Sequence, residues 1–357
     1  MEKKESLYIA GPECFYIDGT ERLNAMRRLA EADGFSVSLP NDVPLKLDHE
    51  DLRRNADAIF KNCAESMNRS TAILCDLEFY RGPEIDGGSA YEIGMAYARG
   101  IRCYGYTRDL RAMCWKYQGI ELKNGVPYDR KGRVLPYWEL PFSYNIVGST
   151  KIVEGDFAAC LRTFKTDLDE ERKAGKPGAI APAEPKLVPG AADEPVVYLA
   201  GPERFEPDAA ERYGKMKRIC RAYGLRVLTP MDETPETESE DPYARAFSRF
   251  ERNQRHVRGC DILIANLNDF HGWEPESDTS FECGMAYQLG KRLYGYMDSA
   301  VRMRERVPNL GEAHGWRDVS GCNVENFDYP INLMFASSMP VYEGAFEQVI
   351  KRIAEEL

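Results

Sequence analysis

The sequence contains no apolar run of about twenty residues, the length a membrane-spanning helix needs, so no transmembrane helix is expected. Histidine is scarce. The four present, His49, His256, His271 and His314, share no spacing, so neither a metal site nor a His-based triad is expected. The ten cysteines include no CxxC pair, and several, such as Cys75 and Cys103, lie in apolar strand-like runs. Buried thiols of a reducing cytosol explain them better than disulfides or metal ligation. Positive charge is in deficit, with 47 Lys and Arg against 58 Asp and Glu, and the net charge of −11 disfavours a nucleic-acid polymer or an anionic membrane as the main partner. No GxGxxG turn or phosphate-binding lysine loop supports a dinucleotide or ATP enzyme, and no cofactor is expected. The opening MetGluLysLysGluSerLeuTyr is too charged, and enters a strand too soon, to be a secretory signal, so a cytoplasmic location is expected.

What the sequence does have is a duplication. LeuTyrIleAlaGlyPro at Leu7–Pro12 returns as ValTyrLeuAlaGlyPro at Val197–Pro202, and SerAlaTyrGluIleGlyMetAlaTyr at Ser89–Tyr97 returns as ThrSerPheGluCysGlyMetAlaTyr at Thr279–Tyr287. These pairs, with Phe15 and Phe205, Pro40 and Pro230, and Phe60 and Phe250, all stand 190 residues apart. One fixed offset of that size means two homologous domains rather than a short repeat unit. A chain of 357 residues, 43% hydrophobic, is long enough to give each a core. Between them, residues 173–195 are rich in Pro, Ala and Gly without periodicity and read as an extended linker, leaving 1–172 and 196–357 as the domains.

Each half alternates short apolar runs with helical spacing. In the first, strands are expected at Leu7–Ala10, Phe35–Leu39, Thr71–Leu77 and Ile101–Tyr106, with helices over about Thr20–Asp33, Leu52–Asn68 and Glu92–Arg99. The second half repeats this order. Such alternation predicts parallel sheets covered by helices on both faces, with ligands beyond the carboxyl ends of the strands. That is where AlaGlyPro and the stretch from Asp76 to Glu92 must lie. Glu92 and Glu282 each follow a tyrosine, Tyr8 or Tyr198, by 84 residues and sit at an otherwise apolar helix start. A carboxylate there is a poor packing choice unless something uses it, although a helix-dipole role is the plain alternative.

TyrIleAlaGlyPro, AspGlyGlySerAlaTyrGluIleGlyMetAlaTyr and AsnLeuMet at Asn332–Met334 resemble the nucleoside 2-deoxyribosyltransferase family over about residues 6–165 and again 196–357. The resemblance implies two tandem flavodoxin-like (Rossmann-like) domains arranged as an internal pseudo-dimer. It implies cleavage of the N-glycosidic bond of a 2'-deoxynucleoside and passage of the sugar to another nucleobase through a glutamate-linked intermediate. Some relatives hydrolyse nucleoside monophosphates instead, so hydrolysis of a deoxynucleoside or 5'-monophosphate stays open, as does nucleotide binding with little catalysis. The implied partners are a small deoxynucleoside or nucleotide and a free base, with a homo-oligomer of pseudo-dimers also open.

By the same resemblance Glu92 and Glu282 fall on the nucleophile, and Tyr8 and Tyr198 on the tyrosine that holds it. Asp86 falls on a sugar-binding aspartate, for which the second half offers Glu276 or Asp278. Asn332 falls on an asparagine that crosses a subunit boundary, with Asn145 as its counterpart in the first half. Internal pairing would send Asn332 to the Glu92 site and Asn145 to the Glu282 site. The family's base-side aspartate falls on Cys63 and Asn253; Asn253 can donate a hydrogen bond to a base, and Asp76 is a candidate to supply the missing carboxylate of the first half. Ser89 and its neighbouring amides are a candidate anion-binding turn, and Phe15 and Phe205 candidate walls for a base.

Overall fold

The structure, a computed structural model, describes residues 5–40, 42, 45–175, 194–232 and 239–357. In the first half the chain runs β1 (Ser6–Ala10), α1 (Gly19–Ala32), β2 (Ser36–Ser38), α2 (Leu52–Arg69), β3 (Ala72–Asp76), α3 (Gly87–Ala98) and β4 (Arg102–Thr107). A hairpin of β5 (Glu121–Lys123) and β6 (Val126–Tyr128) precedes α4 (Tyr144–Ser149), β7 (Lys151–Glu154) and α5 (Phe157–Lys173). The second half gives β8 (Val196–Ala200), α6 (Ala209–Ala222), β9 (Arg226–Leu228), α7 (Pro242–Gly259), β10 (Ile262–Asn266), α8 (Ser277–Gln288) and β11 (Arg292–Met297). It closes with α9 (Met303–Arg306), α10 (Leu333–Ala336), β12 (Val341–Glu343) and α11 (Phe346–Glu356).

Two five-stranded parallel sheets result, ordered β2-β1-β3-β4-β7 and β9-β8-β10-β11-β12. This doubly wound, flavodoxin-like order reverses direction between β1 and β3, and between β8 and β10, which opens a crevice at the strand ends. The period-two alternation of the strands decides what faces it. In β1, Leu7 and Ile9 join an outer core with Leu23 and Phe164, while Tyr8 and Ala10 join a central core. Val197 and Leu199 against Tyr198 and Ala200 divide in the same way.

The central core is common to both halves. It lies between the sheets and is built on α3 and α8, whose residues are buried from Gly87 to Ala96 and from Ser277 to Ala286. Both helices are enclosed although each carries buried polar side chains in its first two turns, Ser89 and Glu92 in α3 and Asp278, Thr279 and Glu282 in α8. The two helices touch at Gly94 and Gly284: a Cβ at Gly94 would lie 2.0 Å from the Phe281 carbonyl oxygen, and one at Gly284 1.9 Å from that of Tyr91. These glycines are the Gly of the repeated Glu-x-Gly signature, and they let backbone meet backbone across the approximate two-fold that makes the chain an internal pseudo-dimer.

The helix bearing Glu92 begins at Gly87, earlier than the pattern predicts, so Glu92 lies inside the helix rather than at its start. Asp86 caps it by accepting from the Ser89 amide at 2.7 Å, which outweighs the low helix propensity of the two glycines that follow. In the second half Glu276 caps α8 through Asp278 and Thr279, so that helix too starts ahead of Glu282. The sheet-edge strands β7 and β12 and the closing helices α5 and α11 extend beyond the last strands read from the pattern. Of the stretch read as a linker, 176–193 lies outside the described residues, and α5 extends to Lys173. Among the described residues no helix is long and apolar enough to cross a membrane.

Candidate active site

At the end of β1, Gly11 turns the chain with φ 147°, and a Cβ there would strike the Glu13 carboxylate at 2.1 Å. That turn leaves Tyr8 one residue below the crevice, fully buried, with its hydroxyl donating to Glu92 Oε1 at 2.5 Å. Burial pushes the Glu92 carboxyl up to about 8, with the Tyr8 bond acting the other way and the Asp86 charge adding to the rise. Asp86 Oδ2 also accepts from the Ser89 hydroxyl at 2.6 Å. Tyr8, Glu92, Asp86 and Ser89 thus form one polar cluster at the β1/β3 switch point.

Beside them opens a cavity of about 420 Å³, a size suited to a small organic ligand. Its polar wall is Asp86, Ser89, Glu92, Asn323, Glu325 and Asn332; its apolar wall includes Phe15, Leu45, Leu47, Ile59 and Phe327. Asn323 to Met334 belong to the second half, so the cavity is completed across the pseudo-two-fold. Asn332 caps α10 through the Met334 amide at 2.9 Å and lies close against Gly88, where a Cβ would meet its amide nitrogen at 3.0 Å. Phe15 stacks on Tyr80 with centroids 5.4 Å apart. Cys63 lines the cavity with its thiol pushed up to about 12 by burial and by the Glu92 charge.

The equivalent place in the second half holds a buried cation of the same chain. Tyr198 donates to Glu282 Oε1 at 3.0 Å and Asn145, from the first half, reaches the same oxygen at 3.3 Å. Arg204, however, occupies the space that Cys14 leaves open at the first site. Its Nη2 lies 2.9 Å from Glu276, 2.7 Å from Asp278 and 2.6 Å from the Tyr137 hydroxyl, and its guanidinium lies 4.8 Å from the Phe205 ring centre. Tyr137 in turn donates to Glu276. Glu276 and Asp278 are therefore engaged by a buried cation of the same chain. Phe205 stacks on Phe270, and Asn253 is fully buried with neither amide atom hydrogen-bonded.

Two further expectations meet a different geometry. Asp76 does not line the cavity; it lies on the far side of Gly11, coupled to Glu13, whose carboxyl burial pushes up to about 8. The second half has Asn266 there, donating to Glu203 at 2.7 Å, an amide doing what a shared proton does between Asp76 and Glu13. Asp76 therefore does not supply the missing carboxylate. Nor is the Gly87–Ala90 turn free for an anion, because Asp86 already holds the Ser89 amide and hydroxyl.

Arg204, Tyr137 and Glu325 are absent from the residues singled out by motif. Their signal lies in the positions where the halves disagree: Cys14 against Arg204 and Gly88 against Asp278 at the 190-residue offset, and Pro136 against Glu325 where the register shifts by one. Glu84 and Glu274 are likewise new. Glu84 accepts from the Ser277 amide at 3.2 Å and also from its hydroxyl, and Glu274 accepts from the Gly87 amide at 3.2 Å, so each half holds the start of the other half's site helix.

A doubly wound sheet with a tyrosine-held glutamate at its switch point, closed by an asparagine from a pseudo-symmetric partner, defines a small-molecule α/β site of glycosyl-processing type. The chain belongs to the nucleoside 2-deoxyribosyltransferase family, whose model matches residues 7–137 and again 197–334. Among solved structures it is similar to a 2-deoxyribosyltransferase from Leishmania mexicana, 29% identical over 45% of this chain and 97% of that one, with a TM-score of 0.37. It is also similar to a 2-deoxyribosyltransferase from Bacillus psychrosaccharolyticus, 22% identical over 43% of this chain and 90% of that one, with a TM-score of 0.30. An uncharacterised Schizosaccharomyces pombe protein is 30% identical over 127 residues, which are 35% of this chain and 59% of that protein, under two thirds of its length.

Proposed function

We propose that the Glu92 cavity transfers the sugar of a 2'-deoxynucleoside to another nucleobase, with Glu92 as nucleophile, and that the Glu282 counterpart does not turn over. The observation carrying this reading is the contrast between two matched Tyr–Glu pairs, one facing an open cavity and one facing Arg204. We take residues 1–172 and 196–357 as the two domains, each incomplete as a site without the other.

As the base leaves, positive charge develops at C1', and the Glu92 carboxylate stabilises it and forms the C1'–O bond. Tyr8 keeps that carboxylate aimed. Asp86, the Ser89 hydroxyl and Asn332 are the groups available to the sugar hydroxyls, and Phe15 with its aliphatic neighbours provides an apolar seat for the base. An incoming base then attacks C1' and releases Glu92.

The lining also favours a nucleoside over its phosphate. Asp86, Glu92 and Glu325 are present and, among the described residues, no Lys, Arg or His lines the cavity to offset a phosphate dianion. The test is product analysis after mixing the protein with thymidine or deoxyinosine, with and without adenine. A new deoxynucleoside that depends on adenine is expected. Free base without exchange would make the protein a hydrolase, and turnover confined to 5'-monophosphates would overturn the substrate assignment.

A further inference from the structure

We propose that Glu325, carried into the cavity by the second half, is the acid that protonates the departing nucleobase and takes the proton back from the incoming one. The proposal rests on Glu92 being the nucleophile of the same cavity. Each of the three carboxyl groups in the wall uses one oxygen within the protein: Glu92 accepts from Tyr8 through Oε1, and Asp86 accepts from the Ser89 amide and hydroxyl through Oδ2. Glu325 accepts from the Leu333 amide through Oε2 at 2.8 Å. Its other oxygen has no hydrogen bond among the described residues and is not sealed from the cavity that the residue lines. It is the one carboxyl oxygen available to a ligand from the half that does not carry Glu92.

Comparison of the halves supports a chemical role. Around Glu325 the register between the halves shifts by one from the 190-residue offset: the Asn323 amide donates to the Phe15 carbonyl as the Val134 amide donates to that of Phe205, and Asp318 pairs with Cys322 as Asp129 pairs with Arg133. At the second site the matching residue is therefore Pro136, buried and without an ionisable group. Of the two matched positions, only the one at the Glu92 cavity carries a carboxyl. Cys63, at the position where the family resemblance puts a base-side acid, holds its proton too tightly for that task.

The segment is fixed well enough for proton transfer. Arg81 donates to Asp318 at 3.0 Å and to the Asn323 carbonyl at 2.7 Å, and the Asn323 amide donates to the Phe15 carbonyl at 2.7 Å. The titratable and charged groups around Glu325 are Asp86 at the α3 cap, Arg81, Glu274, Cys14 and Cys63 of α2. Burial pushes Glu325 up to about 8, with the Leu333 amide and Arg81 opposing and Asp86 reinforcing the rise. Burial thus favours the protonated, donating form of Glu325, while the Tyr8 hydrogen bond favours the carboxylate form of Glu92 that attack requires.

The step balances. The C1'–N bond breaks, its electron pair goes to the base nitrogen, the Glu325 proton follows it, and Glu92 closes the C1'–O bond. In the second half-reaction the incoming base gives a proton to the Glu325 carboxylate as its nitrogen forms the new C1'–N bond, and the C1'–O bond pair returns to Glu92.

The test is Glu325→Gln, which keeps an acceptor for the Leu333 amide but has no proton to give. Two donors are compared: deoxyinosine, and 7-methyl-2'-deoxyguanosine, whose cationic base departs neutral without protonation. Turnover of deoxyinosine should fall about 100-fold or more while the methylated donor changes by less than about 3-fold. Glu325→Asp, which keeps an acid, should recover part of the loss and serves if the glutamine variant does not fold. Equal losses on both donors would overturn the proposal in favour of a positioning role, as would no loss on either. Wild-type protein that cleaves neither donor would instead overturn the Glu92 reading on which this one stands.

Discussion

At the residue scale, the two glutamates that look alike in the sequence are unlike in their surroundings. Glu92→Gln keeps the shape of the side chain and an acceptor for Tyr8 but removes the nucleophile, so turnover should drop by about 1,000-fold or more. Glu282→Gln should leave turnover within about 2-fold, since that carboxyl is engaged by Asn145 and lies beside the Arg204 charge. Initial rates of the two purified variants decide it, and equal loss from both would sink the single-site reading. Tyr8→Phe removes the 2.5 Å bond to Glu92 and should lower kcat by about 10- to 100-fold with little change in KM; an unchanged kcat would remove Tyr8 from the mechanism. The motif residues were legible in the sequence because they repeat. Arg204 and Glu325 were not, because repetition hides the residues in which one copy has departed from the other, and only the side-chain geometry shows that these departures place a cation at one site and a carboxyl at the other.

At the element scale, alternation of apolar runs and helical spacing was enough to predict parallel sheets with helices on both faces, and residues 84 apart in sequence, Tyr8 and Glu92, meet because β1 and α3 are neighbours in that topology. The start of α3 was misplaced by propensity: Gly87 and Gly88 argue against a helix, and the Asp86 cap prevails. The role of Gly94 was also hidden, since it depends on what lies opposite. Gly94→Ala gains about 1 kcal/mol in helix propensity, but the new methyl meets the Phe281 backbone at 2.0 Å, and overpacking against a partner that cannot rotate away costs about 3 kcal/mol or more. The clash decides the sign. The variant should melt about 3 °C or more below the parent in a calorimetric scan, and a midpoint at or above the parent's would mean that α3 and α8 do not meet at this glycine.

At the scale of the whole molecule, enclosing a pseudo-dimer interface inside one chain has placed many carboxyl groups out of water. The apolar core runs through both halves, and Glu84 and Glu274, 2% exposed, reach across it to the opposite site helix. Burial pushes both of these, with Glu92, Glu282 and Glu325, up to about 8. A carboxyl whose value in the folded chain lies above its unfolded value contributes stability that is complete below about 4.5 and is lost as pH rises through about 8. Paired aspartates such as Asp129 and Asp167, with lowered values, act in the opposite sense, but their loss belongs to more acidic solution. The balance predicts a thermal midpoint that falls between about pH 5.5 and 8.5, where most proteins sit on a plateau. Glu84→Gln keeps an acceptor for Ser277 without a charge to expel, so it should flatten the descent. Midpoints taken by scanning fluorimetry across this range check both statements: a midpoint that holds or climbs toward pH 8.5 would mean that water or movement of the halves relieves the buried carboxyls, and a descent unchanged by Glu84→Gln would clear Glu84 of its share.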